Sequence, residues 1–286
     1  MPFTLSHIAA TLPLASGTRT GVPGEPSRRG PLVASALAFG SMAPDAVLFV
    51  DLRLGPLSYE RGDTHAVVPG VFLIAPVLTA IAVAVWHLLL LRPLLALVPD
   101  AIRARIEAPL LPHVPADLRT GRLRPRELVG IAGWFLVSSW IGALTHLCWD
   151  AWTHYGDPGV ANVAPWLRDE GLFGRPWFVL LQHTSTVVGL AAITWWSTRR
   201  FTALPAHPVD HRTRIGVPAR LAVLAALSLA GLAAAIHRMR PYNGQSFEVV
   251  GFYFATGFGR GLALALLTYG AVWAVWRGRG TVTRAG

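Results

Sequence analysis

No lysine occurs anywhere in these 286 residues, cysteine occurs once, and charged side chains of all kinds make up only 14%. A soluble domain carries about 25% charged residues, so this chain lacks the polar surface that a soluble core would need. The lone Cys148 excludes an intrachain disulfide and leaves the redox compartment unread. With lysine absent, all 25 basic residues are arginine, which reads as a composition bias rather than as chemistry. Internal repeats, low-complexity tracts and a separate soluble domain are missing as well.

What is abundant is apolar sequence. Hydrophobic residues fill 53% of the chain, and several runs exceed the ~18 residues that separate a membrane span from a buried core helix. Clear spans occupy 31–50, 67–91, 128–149, 217–237 and 249–276, and a sixth, 176–197, holds Gln182 and His183. The apolar stretch 2–15 covers only ~21 Å against a ~30 Å hydrocarbon core, which fits a short crossing, a re-entrant piece or an interfacial helix. Arg19, Arg28 and Arg29 follow this stretch instead of preceding it, unlike a secretory signal. The expectation is all-α: a polytopic membrane helical bundle of about six or seven spans. It forms one integral membrane domain over 1–286, with metal-site helices in 1–190 and additional helices in 191–286.

The net charge of +10 raises nucleic acid as a partner, yet the arginines sit in loops between spans. In that position they set membrane orientation, so no nucleic-acid partner is expected. Arg-rich 17–30, 92–127, 198–216 and 277–286 are then cytoplasmic, and 51–66, 150–175 and 238–248 lie outside. The 92–127 connection also has room for a surface helix. The expected location is a bacterial plasma membrane.

The sharpest local pattern is Thr145-His146-Leu147-Cys148-Trp149-Asp150-Ala151-Trp152-Thr153-His154. His146, Asp150 and His154 are spaced i, i+4, i+8, so a helix stacks them along one face. Imidazole and carboxylate four apart on one face is a geometry by which helices hold zinc. The plainer alternative is a polar cap where the span meets water. Depth favours the metal: Asp45, in Ser41-Met42-Ala43-Pro44-Asp45, His65, and His183 all fall near the outer ends of their spans. His7 joins them if 2–15 enters from outside. Ionisable groups inside spans are costly and mark function. His113, His207 and His211 fall in cytoplasmic loops as solvated residues, His87 is structural, and His237 is a weak candidate. Arg260 lies in mid-span and needs a partner, either a carboxylate or a substrate phosphate.

In order, Met1-Pro2-Phe3-Thr4-Leu5-Ser6-His7, Ala43-Pro44-Asp45, Thr64-His65, Leu144-Thr145-His146 through Asp150 to His154, and Leu181-Gln182-His183 resemble a bacterial membrane family known as domain of unknown function 4184. The match covers roughly residues 1–190. More distantly, the order is similar to membrane-bound metal-dependent hydrolases and to the zinc-dependent phospholipase C group. That resemblance implies a zinc cluster held by His7, Asp45, His65, His146 and Asp150, with His154 and His183 as further ligands. One departure stands out: where the phospholipase group has a Glu ligand four residues after the late histidine, this chain has Val187. Asp63 is a substitute in principle, although a solvated loop carboxylate is the plainer reading.

These residues lead to an expected metal-dependent hydrolase acting on a phosphoester or lipid-linked substrate at the outer membrane face. The cofactor is a divalent metal, zinc above others, and membrane lipid is a partner. Zinc lowers the pKa of a bound water to about 7. Asp45 or Asp150 is the candidate general base, and Arg61 or Arg260 the anion partner. Two rivals come from other classes. A transporter or metal-ion permease also places imidazoles and carboxylates in spans, but these candidates share one depth and show no inverted repeat. A scaffold with a structural metal differs from an enzyme in having no open coordination position.

Overall fold

The structure, a computed structural model, describes residues 4–15, 31–49, 63–111, 125–155, 163–209 and 214–282, with side chains as far as 276. It is helical throughout, and the described residues contain no strand beyond one isolated bridge between Glu170 and Pro176. Among the described residues five helices are long and apolar enough to cross a bilayer: α4 (Val67–Leu97), α6 (Pro125–Thr153), α7 (Trp177–Ala203), α8 (Val217–Met239, continued by a 3-10 turn to Tyr242) and α9 (Phe247–Val282, apolar to Trp276). At most 28% of any of these apolar windows is buried inside the chain. The remaining surface, with Leu88, Val129, Val187 and Leu264 among its most exposed residues, needs a hydrocarbon solvent. This is a membrane protein.

The other expected crossings take shorter forms. After a 3-10 turn at Thr4–His7, α1 (Ile8–Ala15) has 8 residues, too few to cross. The 31–50 run is not one helix: α2 (Ala34–Gly40) stops at a turn over residues 41–45, and α3 (Ala46–Phe49) is a single turn. Pro44 explains the break, because it lacks an N–H and disfavours helix in the residue before it. The backbone answers with i→i−3 bonds, Met42 N–H to the Phe39 carbonyl and Ala43 N–H to the Gly40 carbonyl. The 92–127 connection does contain a helix, α5 (Asp100–Leu110), on which the buried Arg103 forks onto Glu107 at 2.9 and 2.8 Å.

By contact the chain forms two compact units, and α4 contributes residues to both. The first unit holds residues 1–46, 53–83 and 113–204. Its tightest feature is the crossing of α2 and α6, built on small residues. A Cβ on Gly40 would lie 2.7 Å from the Ser139 carbonyl, and one on Gly142 would lie 2.7 Å from the Ser41 amide. Inside a bilayer, where apolar burial drives no association between helices, such close backbone approach supplies the packing. Polar ties reinforce it: Val33 N–H donates to Ser138 Oγ at 2.9 Å, and the buried Ser139 hydroxyl donates to Thr79 Oγ1 of α4 at 3.0 Å. Above this lies a small core of Ala43, Val71, Ala75, Ala143 and Leu147. The second unit holds residues 47–52, 84–112 and 205–286. There α8 and α9 pair through Gly231, Gly257 and Gly261, each too close to the facing helix to carry a Cβ.

Candidate metal centre

Four segments of the first unit place ionisable side chains at one point. The 3-10 turn Thr4–His7 brings His7, the turn after α2 brings Asp45, a 3-10 turn at Asp63–His65 brings His65, and α6 brings His146 and Asp150. His7, Asp45 and His146 are at most 1% exposed. Two sets of three have ligand atoms all within 4.8 Å of one another: His7, His146 and Asp150, and Asp45, His65 and His146. His146 belongs to both.

The local backbone explains why these atoms converge. In the i→i−3 pattern of this turn the Ser41 carbonyl would accept from the N–H of residue 44, but position 44 is proline. That carbonyl accepts instead from His146 Nδ1 at 2.7 Å. Since a carbonyl only accepts, Nδ1 carries the proton, and Nε2 is the nitrogen left to face the site. Asp45 is fixed from the other side, where the Thr4 hydroxyl donates to Oδ2 at 2.7 Å. A 3-10 helix eclipses residues i and i+3, so Thr4 and His7 reach the centre together.

Around Asp150 four imidazoles gather. His146 Nε2 is 3.1 Å from Oδ2 and His65 Nε2 is 3.8 Å from it, while His7 Nε2 is 3.5 Å and His154 Nδ1 3.2 Å from Oδ1. Asp45 Oδ1 lies 3.5 Å from His65 Nε2 and 3.7 Å from His146 Nε2. Despite these approaches, His7 Nδ1 and Nε2, Asp45 Oδ1, His146 Nε2, Asp150 Oδ1 and His154 Nε2 are all buried without a hydrogen bond among the described residues. Burial pushes the His7 imidazole down to about 3, and the neutral imidazole is the form that ligates metal.

The donor set fits a divalent ion. Zinc takes imidazole nitrogen and carboxylate oxygen at ~2.0–2.2 Å, which puts neighbouring ligand atoms of a tetrahedron ~3.3–3.6 Å apart. The separations of 3.1–3.8 Å around the two carboxylates straddle that edge. His146 offers only Nε2, so a single ion at a time can use it.

The family model described as Domain of unknown function (DUF4184) matches residues 1–271. The chain belongs to this family. Membership reaches past residue 190, where the motif resemblance stops, and takes in α8 and most of α9. No curated protein and no solved structure matches the chain. In this DUF4184 member none of the other described candidates belongs to either ligand set. His154 turns Nδ1 toward Asp150, also lies 3.1 Å from Thr153 Oγ1, and is in neither ligand set. His183 is exposed on α7. A helix advances 100° per residue, and here it is Gln182, 8% exposed, that points inward. Val187, four residues on from His183, is 68% exposed on the same outward face. Asp63 starts the turn that carries His65 but is in neither set.

Among the arginines, Arg260 donates from Nε to the Leu48 carbonyl at 2.7 Å in the second unit. Arg61, His113 and His211 lie outside the described residues. His237 and His207 are exposed, and His87 sits in a π-helical stretch of α4. Sequence reasoning passed over Thr4 and Ser41. Thr4 had a signal in its i, i+3 relation to His7. Ser41 acts through its backbone, and only the following proline hints at that.

Proposed function

We propose that this chain is a membrane-embedded, metal-dependent hydrolase acting on a phosphoester or lipid-linked substrate at the outer face of a bacterial plasma membrane. The observation that carries this reading is the convergence of buried, unbonded imidazole nitrogens and carboxylate oxygens in two sets of three. Three protein ligands leave a coordination position open, as in catalytic zinc sites, whereas structural sites are closed by four. His65 and His154 are about a quarter exposed, while His7, Asp45 and His146 are sealed. The centre therefore has a deep side for holding an ion and an accessible side for a substrate.

Either His7, His146 and Asp150 or Asp45, His65 and His146 would hold an ion. When bound, it would supply Lewis acidity and lower the pKa of water toward neutrality. The chain's own groups have separable tasks. The Ser41 carbonyl keeps His146 in the tautomer with Nε2 unprotonated, Thr4 orients Asp45, and His154 orients Asp150. Such outer partners typically tune metal affinity 10–100-fold. Asp45 or Asp150, whichever oxygen is not ligating, is placed to accept a proton from an attacking water.

A second reading rests on the short His146–Asp150 and His154–Asp150 approaches of 3.1 and 3.2 Å. Protonated imidazoles could neutralise the two aspartates without any metal. Metal analysis of the purified protein decides between them. The expected result is at least one bound zinc or manganese per chain, lost in His146→Ala, with metal-dependent hydrolysis of a chromogenic phosphodiester. Absence of stoichiometric metal after incubation with zinc or manganese would overturn the proposal.

A further inference from the structure

Beside the candidate centre runs a groove of about 460 Å³, walled by α1, α6 and α7. Its residues on α6 alternate with those of the centre. Thr145, Trp149 and Thr153 line the groove, and each directly precedes His146, Asp150 or His154. The two features therefore share one stretch of helix for ~12 Å, eight residues at 1.5 Å each. They also share a wall, because the Trp149 ring packs edge-on against His7 with centroids 6.0 Å apart.

The chemistry of the groove is one-sided. Ala10, Cys148, Leu181 and the rings of Trp149 and Trp152 supply apolar surface. The other three lining residues carry hydroxyls, and all three donate within their own helices. Thr145 donates to the Gly142 carbonyl at 2.7 Å, Thr153 to the Trp149 carbonyl at 3.3 Å, and Ser185 to the Gln182 carbonyl at 3.0 Å. Among the described residues no charged side chain lines it. A polar substrate portion entering here would lose its hydration without replacement, whereas hydrocarbon loses nothing. Trp152 and Leu181, 47% and 38% exposed, stand on helices whose outer surface is apolar, so the groove opens onto an apolar surface.

We propose that this groove seats the hydrocarbon chain of a membrane lipid whose polar end reaches the centre of His7, His65, His146 and Asp150. The inference rests on the hydrolase reading and deepens it: the substrate is a lipid, taken laterally from the bilayer and not from water. Since lipid tails are already in an apolar solvent, the groove gains little hydrophobic free energy from the chain. Its role is alignment, fixing the depth and direction of the bond presented to the centre.

The test uses the full chain in phosphatidylcholine vesicles with trace phosphatidic acid or diacylglycerol, each carrying a diazirine in one acyl chain. Crosslinked residues are mapped by mass spectrometry. The expected result is labelling at Leu181 and Trp152 several-fold above Val187 and Val129, reduced by excess unlabelled phosphatidic acid. Filling the groove, by Cys148→Trp or by alkylating the native Cys148 thiol with N-ethylmaleimide, should remove the Leu181 label and leave that at Val187. Phosphatidic acid should label the groove more than diacylglycerol, and His146→Ala should abolish that preference. Uniform labelling that neither treatment changes overturns the groove. Groove labelling that Cys148→Trp removes, but that is equal for both lipids and indifferent to His146→Ala, upholds the groove and overturns the hydrolase reading instead.

Discussion

Replacing Asp150 by Asn separates a metal centre from a metal-free ionic network, because the two respond to a chelator differently. The substitution keeps the side-chain volume and removes the charge. That charge faces four imidazole nitrogens at 3.1, 3.2, 3.5 and 3.8 Å. At an effective dielectric constant of ~20, a unit charge ~3.5 Å away interacts by ~5 kcal/mol, so the carboxylate dominates the local field. With metal at ~100 times its dissociation constant, binding contributes ~2.7 kcal/mol to stability. For a domain of roughly 150–250 residues, each kcal/mol shifts the midpoint by ~2–4 °C. A chelator should then lower the native midpoint by about 5–10 °C. Asp150→Asn should begin near that lowered midpoint and respond little to the chelator, having lost the ion already. Tryptophan fluorescence during heating in detergent reads this out, with zinc or manganese added back to restore the native protein alone. If the chelator leaves the native midpoint unmoved while Asp150→Asn costs ~3–5 kcal/mol, the expected cost of leaving a buried charge unpaired, the metal reasoning is refuted.

Other outcomes follow from the packing. Gly142→Ala would place a methyl 2.7 Å from the Ser41 amide and closer still to the Leu37 carbonyl. It should cost ~1–3 kcal/mol in thermal unfolding and weaken metal binding by moving Ser41 away from His146. Pro44→Ala adds an N–H that competes for the Ser41 carbonyl, so metal affinity measured by calorimetry should fall ~10–100-fold with the helix content unchanged. His183→Ala should alter stability by no more than ~0.5 kcal/mol and leave the metal content as it is, since that ring faces outward. In a Cys148→Ser background, an impermeant maleimide applied to intact cells should label a cysteine at Asp157 but not one at Arg122, following the asymmetry of Arg-rich loops; labelling at 122 would reverse the orientation.

The long apolar helices and the His146–Asp150–His154 stack were legible because each is written in a local period, hydropathy over ~18 residues in one case and a four-residue step in the other. Phase was not. The run around Leu181-Gln182-His183 is apolar on both sides, so nothing in it tells which polar residue turns inward, and His183 could be told from Gln182 only once α7 was packed against the first turn. That packing is set at Gly189, where a Cβ would lie 2.9 Å from Ser6 Cβ, a contact between residues 183 positions apart. Ring orientation was equally hidden: the spacing places His154 beside Asp150 but cannot say that Nδ1 is the atom turned toward it.

The break within 31–50 was missed for a more informative reason. Length and hydropathy favour a span there, while Pro44 and Asp45 oppose it, and a span is the better guess only if no partner exists for the interrupted backbone. In a bilayer an unsatisfied carbonyl is expensive, so a helix can stop inside an apolar run only where another group takes up the freed acceptor. His146 does so for Ser41 at 2.7 Å. The same hydrogen bond that makes the break tolerable sets the tautomer of the central imidazole. Three of the four segments at the centre are departures from regular α-helix, at Thr4–His7, 41–45 and Asp63–His65, and only α6 is regular there. Sites are where local sequence rules are expected to give way. Here the irregular backbone and the ligand set depend on each other, so a variant that heals the helix at Pro44 is also expected to lose the metal.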